Sequence, residues 1–354
     1  MIKRIEDEFN IHIPEKMNAL ASLNLSNFLA KNPLARNYRF DFIKMKMIFP
    51  FAALLTSRSI IQFIDRINSI LSIIGVRPKY HVENVDIKNN PAHGYAAHIG
   101  FFKSFKCDLG RAIDEARGSD SYVPIRFINI NEVNKIASNT RKHHGEVIEE
   151  ASAQLANFLV RDRRNDAIEM LTYSIREMMR NSIEHSKSKY ILYCGQYYPT
   201  INRVEIAIID EGIGIKNSLS KNSTLTINDD NTALSLAILP GISRVRQKKS
   251  YYEDDPWRNT GYGLYVTSKL CKECGNFLIA SGNSSLLTSQ DKIKSYDTSY
   301  NGTAISLSVF TDKISNFQKN LPSIVREGTK LAKNSKLPAN LSASMVSKIL
   351  TQGR

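Results

Sequence analysis

The apolar residues of this chain fall into short segments of two kinds, and their alternation limits what the chain can fold into. In RFDFIKMKMIF the apolar residues alternate as in a strand, whereas the segment after Pro50 has helical spacing up to Gly75. RPKYHVEN and VPIRFINI read as further strands, with YAAHIGFFKSF as a helix between them. This order predicts a smaller α/β domain over residues 1–130, which begins with a short helical or irregular lead-in up to about residue 37.

A second set of segments covers residues 131–312. Two long helical stretches, with a break near residues 161–165, precede the apolar strands ILYCGQYYP and NRVEIAIID. A polar, irregular stretch over residues 216–258 is followed by the helix GLYVTSKLCKEC and the strands NFLIASGN and GTAISLSVF. We therefore expect a second α/β domain here. Residues 313–354 form a basic tail with two weak helical patterns, which would bind a partner or be mobile.

The composition narrows the class of protein. A length of 354 residues with 42% hydrophobic content is sufficient for two domains with cores of their own. Since no apolar run has the length of a membrane span and the N-terminus lacks the apolar stretch of a signal peptide, we expect a soluble, cytoplasmic protein with no membrane partner. The net charge of +14 favours an acidic partner, such as nucleic acid. Cys271 and Cys274 form a CxxC inside a helical pattern, which we interpret as two ordinary helix residues.

One polar pattern lies on a predicted helix. Glu177, Asn181 and His185 are spaced i, i+4 and i+8, so they share one helix face. An Asn side-chain oxygen is a hard ligand that suits Mg²⁺, and a carboxylate one turn earlier can accept a proton from an attacking water. The alternative is a solvated polar stripe without chemistry.

Two glycine motifs follow. In IAIIDEGIGI an apolar strand ends at Asp210, whose carboxylate can accept a hydrogen bond from an amino group, and Gly212 and Gly214 would let the backbone approach a ligand. In NTGYGLYVTSKL, Gly261 and Gly263 lie in a loop that opens into a helix, where backbone N–H groups suit phosphate oxygens. Each motif alone is also compatible with an ordinary glycine turn.

Together, these three motifs resemble those of the GHKL superfamily of ATPases, which includes histidine kinases and type II topoisomerases. The resemblance implies a Bergerat fold, in which a mixed sheet is covered by helices on one face, and a site for ATP and Mg²⁺. It implies a general base at Glu177 and a Mg²⁺ ligand at Asn181, and residues 216–258 take the position of a mobile ATP lid. The nucleotide contacts that it implies are His185, Asp210, Gly212, Gly214, Gly261, Tyr262, Gly263, Leu264 and Thr303.

Two further regions are compatible with specific roles. The lid contains four basic residues that either contact phosphates or form a solvated basic loop: Arg244, Arg246, Lys248 and Lys249. The N-terminal segment FPFAALLTSRSIIQFI resembles the strand, turn and long helix of STAS domains. Pro50, Phe51 and Ala52 stand where such domains carry their phosphorylated Ser, so this resemblance implies no phosphoswitch; an unrelated α/β domain is the alternative.

Three functions fit these motifs. The first is Mg-ATP binding with slow hydrolysis, which acts as a conformational switch on a protein partner. The second is a serine/threonine protein kinase of the anti-sigma type, and the third is a non-hydrolysing ATP-sensing module that contacts nucleic acid. No Pro follows His143 and His144 as in the acceptor motif of histidine kinases, so autophosphorylation on His is not supported. A homodimer is compatible with all three functions.

Overall fold

The computed structural model describes residues 5–113, 115–161, 164–244, 260–290 and 292–335. The strands are β1 (Glu6–His12), β2 (Lys16–Met17), β3 (Ala35–Asp41), β4 (Met47–Ile48), β5 (Lys79–Glu83), β6 (Tyr122–Asn129), β7 (Tyr190–Tyr198), β8 (Arg203–Asp210), β9 (Gly275–Ser289) and β10 (Lys292–Phe310). The helices are α1 (Ala19–Lys31), α2 (Pro50–Ser72), α3 (Pro91–His98), α4 (Phe101–Ser104), α5 (Ile130–Thr140), α6 (His144–Leu159), α7 (Asn165–His185), α8 (Gly214–Leu219), α9 (Asp230–Ala237), α10 (Gly263–Cys274) and α11 (Phe317–Asn334). No helix in these ranges is both long and apolar enough to cross a membrane.

Sheets and helices pack together in both parts of the chain, which confirms the predicted mixed α/β class. The N-terminal sheet is parallel, with the strand order β1-β3-β5, and α1 and α2 connect its strands. The prediction of a helical or irregular lead-in was right only for α1, which lies entirely within the first 37 residues. The same segment also contains β1, β2 and the start of β3, which the sequence did not predict. The side chain of Asn18 caps the N-terminus of α1 by accepting a hydrogen bond from the amide of Ala21 at 3.0 Å.

The central sheet has the strand order β6-β7-β8-β10-β9, and every neighbouring pair in it is antiparallel. The GHKL resemblance implied a mixed sheet instead; in the described residues, parallel pairing is confined to the two N-terminal sheets. The strand predicted from Val123 was assigned to the domain of residues 1–130. It lies in β6, which pairs with β7 and therefore belongs to the central sheet.

Both faces of the central sheet are buried. On one face, Ile206, Ile208 and Ile305 pack against a layer that includes α6, α7, α10 and α11. On the other face, Ala207 and Ile209 belong to one apolar core with the N-terminal helices α1 and α2. The helices that residues 131–312 contribute pack on the first face, as the GHKL resemblance implied, and the N-terminal part supplies a second layer on the other face. Alternation along each strand sends neighbouring residues into different cores.

Three local predictions differ from the structure. Residues 131–186 form three helices, because a second break at Arg141 separates α5 from α6. The predicted irregular lid contains the end of α8 and all of α9, and the side chain of Asp229 caps α9 by accepting from the amide of Thr232 at 2.7 Å. The first half of the predicted tail is α11, whose buried Leu321 and Ile324 join the core around α7 and α10. Residues 336–354 lie outside the described ranges.

Candidate functional site

Three segments that are far apart in sequence meet around one pocket, which spans about 710 Å³ when the space open to solvent is included. Helix α7 forms one wall, the turn after β8 forms a second, and the loop that opens into α10 forms a third. The lining residues are Asn181, Ser182, His185, Ser186, Asp210, Gly214, Ile215, Ser218, Leu219, Ala237, Ile242, Ser243, Arg244, Gly261, Gly263, Leu264, Ile279, Thr303 and Ile305.

Asp210 is the buried carboxylate of the pocket. Its oxygens accept hydrogen bonds from the hydroxyl of Ser182 at 2.9 Å and from the amide of Gly212 at 3.0 Å. Burial raises the pKa of Asp210 to about 6, against the opposing effect of these donors and of the Thr303 amide. The carboxylate is thus mainly ionised at neutral pH, and it is able to accept a further hydrogen bond from a ligand.

Asn181 and His185 lie on the pocket wall one helical turn apart, as their spacing predicted. Both side chains are partly buried. Burial lowers the pKa of His185, and the cations Arg244 and Arg180 lower it further, although Glu184 opposes them. We conclude that the imidazole is neutral at pH 7 and that the fixed positive charge at this wall comes from Arg244, which itself lines the pocket.

The glycine loop approaches two other parts of the chain closely. Gly261 has a φ of +77°, and a Cβ at this position would overlap the carbonyl oxygen of Ile242. A Cβ at Gly263 would overlap the carboxylate of Glu177. Helix α10 begins at Gly263 at the pocket edge, and no side chain of the described residues caps this end of the helix. The first N–H groups of a helix have no partner within the helix itself.

Among the described residues, Glu177 does not line the pocket. It is buried against Gly263, and its Oε1 lies 2.9 Å from Nη2 of Arg176 and 3.8 Å from Nη1 of Arg180. Burial alone would raise the pKa of Glu177, but the two guanidinium groups outweigh it and lower the pKa below its usual value. A carboxylate held in this way is a weak base for an attacking water.

The remaining residues implied by the GHKL resemblance divide in two groups. Gly214, Leu264 and Thr303 line the pocket, and Thr303 pairs with Asp210 across the neighbouring strands β10 and β8. Tyr262 is buried in the core around α7 and is not one of the described residues that line the pocket. Gly212 also lies outside that lining; it packs against the backbone of Ser186 at the end of α7.

Sequence reasoning missed several residues of the site. Ser182 supports Asp210 directly, and Ser186 lies one turn further along the same helix face. Their i, i+4 spacing, one position after Asn181 and His185, was a readable signal. The apolar lining from Ile215, Ile279 and Ile305 carried no such signal, because these residues read as ordinary core positions.

Several other predicted features can be placed. Arg244 lines the pocket, whereas Arg246, Lys248 and Lys249 lie outside the described residues. Cys271 and Cys274 are buried on α10 without a disulfide. Within the described ranges, no group of three or more His, Cys, Asp or Glu side chains is arranged to hold a metal ion. His143 begins α6 and forms a capping box with Glu146.

In comparisons with known proteins, the chain matches no protein-family model and no curated protein.

Proposed function

We propose that this chain binds Mg-ATP in the pocket between α7, the turn after β8 and the start of α10, as a GHKL-type nucleotide switch with slow turnover. One observation carries the proposal. Asn181, Asp210 and Gly263, which are separated by 29 and 53 positions, line the same pocket. The motifs were selected on chemical grounds, so their convergence around one cavity supports a common ligand.

The end of the pocket at Asp210 suits a base. The carboxylate is buried and already held by Ser182 and Gly212, so it presents a fixed acceptor to an exocyclic amine. Ile215, Ile279 and Ile305 supply apolar surface for the faces of an aromatic ring. A purine with an amino group therefore fits this end better than a purely anionic ligand does.

The end at Gly263 suits phosphates. It combines the uncapped start of α10, the glycine turn at Gly261 and the charge of Arg244. Ser182, which contacts Asp210, and Glu177, which contacts Gly263, are five residues apart on α7, or about 7.5 Å along the helix axis. A ribose can occupy the space between the two ends.

Asn181 lies between these ends and is the residue that would hold Mg²⁺. A single side-chain oxygen is compatible with this ion, because Mg²⁺ in nucleotide sites keeps several waters and takes further oxygens from the phosphates. The bound ion would supply charge neutralisation for the phosphates. No other ligand from the described residues is required for this role.

The burial of Glu177 supports slow turnover and not rapid hydrolysis. The carboxylate is turned towards two guanidinium groups and lies behind Gly263, so it is poorly placed to polarise a water next to a terminal phosphate. This observation also favours an alternative function, an ATP-sensing module without hydrolysis. The two candidates share the same binding site and differ in phosphate release.

Residues from α9 and from the segment after it also line the pocket, which supports a switch. Ala237 and Ile242 belong to a small apolar cluster with Leu219, separate from the two larger cores. A nucleotide that fills the pocket would contact this cluster directly. The position of this apolar cluster would then depend on whether a nucleotide occupies the pocket, and a protein partner could recognise the change in position.

Calorimetry on the full chain tests the proposal. We expect ATP to bind in the presence of Mg²⁺, with affinity lowered by about tenfold or more in Asp210→Asn. Asn181→Ala should remove the dependence of binding on Mg²⁺. Asp297→Asn and Asn157→Ala are matched controls, because both side chains are exposed outside the pocket. Unchanged affinity in both pocket variants would refute the site, and phosphate release measured alongside separates slow hydrolysis from sensing.

A further inference from the structure

The turn that carries Asp210 is held from outside the pocket by the N-terminal part of the chain. Glu211 follows Asp210 and points to the opposite face of the sheet, where Arg58 of α2 meets it with two hydrogen bonds. Nε of Arg58 donates to Oε1 at 3.0 Å, and Nη2 donates to Oε2 at 2.7 Å. Only 12% of the Arg58 side chain and 17% of the Glu211 side chain are exposed, so this is a largely desolvated bidentate pair.

Helix α2 also contacts the neighbouring strand β10, close to the point where β10 pairs with Asp210. Gln62, one turn after Arg58, donates from Nε2 to the carbonyl oxygen of Asn301 at 2.8 Å and accepts from the amide of Asn301 at 3.0 Å. Asn301 lies two residues before Thr303, which pairs with Asp210 and lines the pocket. Arg58 and Gln62 share one face of α2 and therefore hold both strand ends at the base end of the pocket.

Other contacts make these two strand ends a single unit. The hydroxyl of Tyr300, which is fully buried, donates to the backbone oxygen of Asp210 at 2.9 Å. The hydroxyl of Tyr190 donates to Oε2 of Glu211 at 2.7 Å. A third contact comes from α1, where the hydroxyl of Ser26 donates to the backbone oxygen of Ser299. A displacement of α2 would therefore move Asp210 and Thr303 together.

We infer that Arg58 and Gln62 are positioning residues for the nucleotide, so that the N-terminal part of the chain sets the affinity of the pocket for the base. The inference rests on the proposed function. Neither side chain lines the pocket; they act through the backbone of residues 210–212 and 301–303. Any partner that shifts α2 would thereby change nucleotide affinity without contacting the nucleotide.

The test is calorimetric titration of the full chain with ATP and with adenosine. Arg58→Lys keeps the charge and loses the bidentate geometry, and Gln62→Ala removes the paired backbone contact at a half-buried position. We expect each variant to weaken ATP and adenosine by the same factor, about tenfold, because the base end is disturbed. Arg244→Ala should weaken ATP alone.

Two further measurements separate positioning from loss of fold. Arg66→Lys is the matched control, because Arg66 lies on α2 but donates to the carbonyl oxygen of Leu29 within the N-terminal part. In an Asp210→Asn background, Arg58→Lys should have little additional effect, since both changes act on one contact. Thermal melting monitors folding in each variant.

The outcomes are distinct. Wild-type protein that binds no ATP would overturn the proposed function and this inference with it. Wild-type protein that binds ATP, with affinity within twofold in Arg58→Lys and Gln62→Ala, would overturn the inference alone. It would also be overturned if Arg58→Lys weakened binding equally in the wild-type and Asp210→Asn backgrounds, or if Arg66→Lys had the same effect.

Discussion

At the scale of single residues, the burial of Asp210 gives nucleotide binding a specific pH dependence. The pKa of this carboxyl is raised to about 6, mainly by burial. Only in the ionised form are both of its oxygens hydrogen-bond acceptors, which the amino group of the base requires in addition to the bonds already made. Affinity should be constant between pH 7 and 8 and fall by about tenfold at pH 5, as protonation competes with binding.

Calorimetry with adenosine, which has no phosphates to titrate, measures this effect. Asp210→Asn is the control, because its side chain does not ionise and should give a flat profile at lower affinity. An equally steep decline below pH 6 in both proteins would show that another group is responsible.

Glu177 gives a prediction about stability. Its partners Arg176 and Arg180 are only 1% and 2% exposed, so removing the carboxylate leaves two buried cations with less compensation. We expect Glu177→Ala to lower the free energy of unfolding by about 3–5 kcal/mol in urea denaturation. Glu149, whose side chain is 37% exposed and 3.6 Å from Arg176, provides the control; Glu149→Ala should cost less than about 1 kcal/mol. Equal losses in the two variants would contradict this account of Glu177.

This result bears on tests of hydrolysis. Loss of activity in Glu177→Ala would have two explanations, a missing base or an unfolded protein. Glu177→Gln keeps the shape of the side chain and is therefore the better variant for measuring phosphate release.

At the scale of elements, the close contact between α7 and the start of α10 makes Gly263 sensitive to any side chain. A Cβ there would lie 3.0 Å from Cδ of Glu177 and closer still to Oε2 of the same carboxylate. Arg176 and Arg180 hold this carboxylate in place. We expect Gly263→Ala to displace the start of α10, costing about 1–3 kcal/mol of stability and reducing ATP affinity by more than tenfold. Melting and calorimetry on the same samples measure both effects.

Glu273→Ala, an exposed change in the last turn of α10, is the matched control. Retention of full affinity in Gly263→Ala would show that the start of the helix does not contribute to binding.

The elements also show what could be predicted from sequence. Helix α2 was readable because Pro50 begins it and helical spacing continues almost to Gly75. Asn181 and His185, which line the pocket from α7, were predicted because one helix face places i and i+4 together. Strand β1 could not be predicted from the sequence, because it is an edge strand whose side chains are mostly exposed and polar. Helices α8 and α9 were hidden in a polar stretch, where short helices depend on caps and tertiary contacts.

At the scale of the whole molecule, Glu205 lies buried between the central sheet and α2, where its Oε1 accepts from the amide of Phe51 at 3.4 Å. Burial raises the pKa of Glu205 to about 7, above an unfolded value of 4.5. The stability that this group contributes is complete below pH 4.5 and is lost as the pH rises through 7, by about 3 kcal/mol in total.

Glu205→Gln should therefore remove this loss and unfold less readily than the wild-type protein at pH 8. Urea denaturation at pH 5 and pH 8 measures the difference, and Asp297→Asn serves as an exposed control. A wild-type protein and a Glu205→Gln variant with the same pH dependence would show that the buried carboxyl does not titrate in this range.

The arrangement of the two parts of the chain was the least predictable feature. The segment IAII of β8 is apolar at successive positions, which is typical of a strand buried on both faces, but it does not identify the covering layers. Strand β6 was assigned to the N-terminal part because sequence order suggested it, whereas its pairing partner is β7. Strand pairing over long sequence separations leaves no local pattern.

The two buried faces of the central sheet have a consequence for how this chain can be divided. A fragment that begins at residue 131 would lack the edge strand β6 and would leave Leu192, Ala207 and Ile209 without their cover from α1 and α2. Such a fragment would present an apolar surface and an unpaired strand edge, both of which promote aggregation. We therefore expect the part of the chain after residue 130 to remain soluble only when the N-terminal part is present.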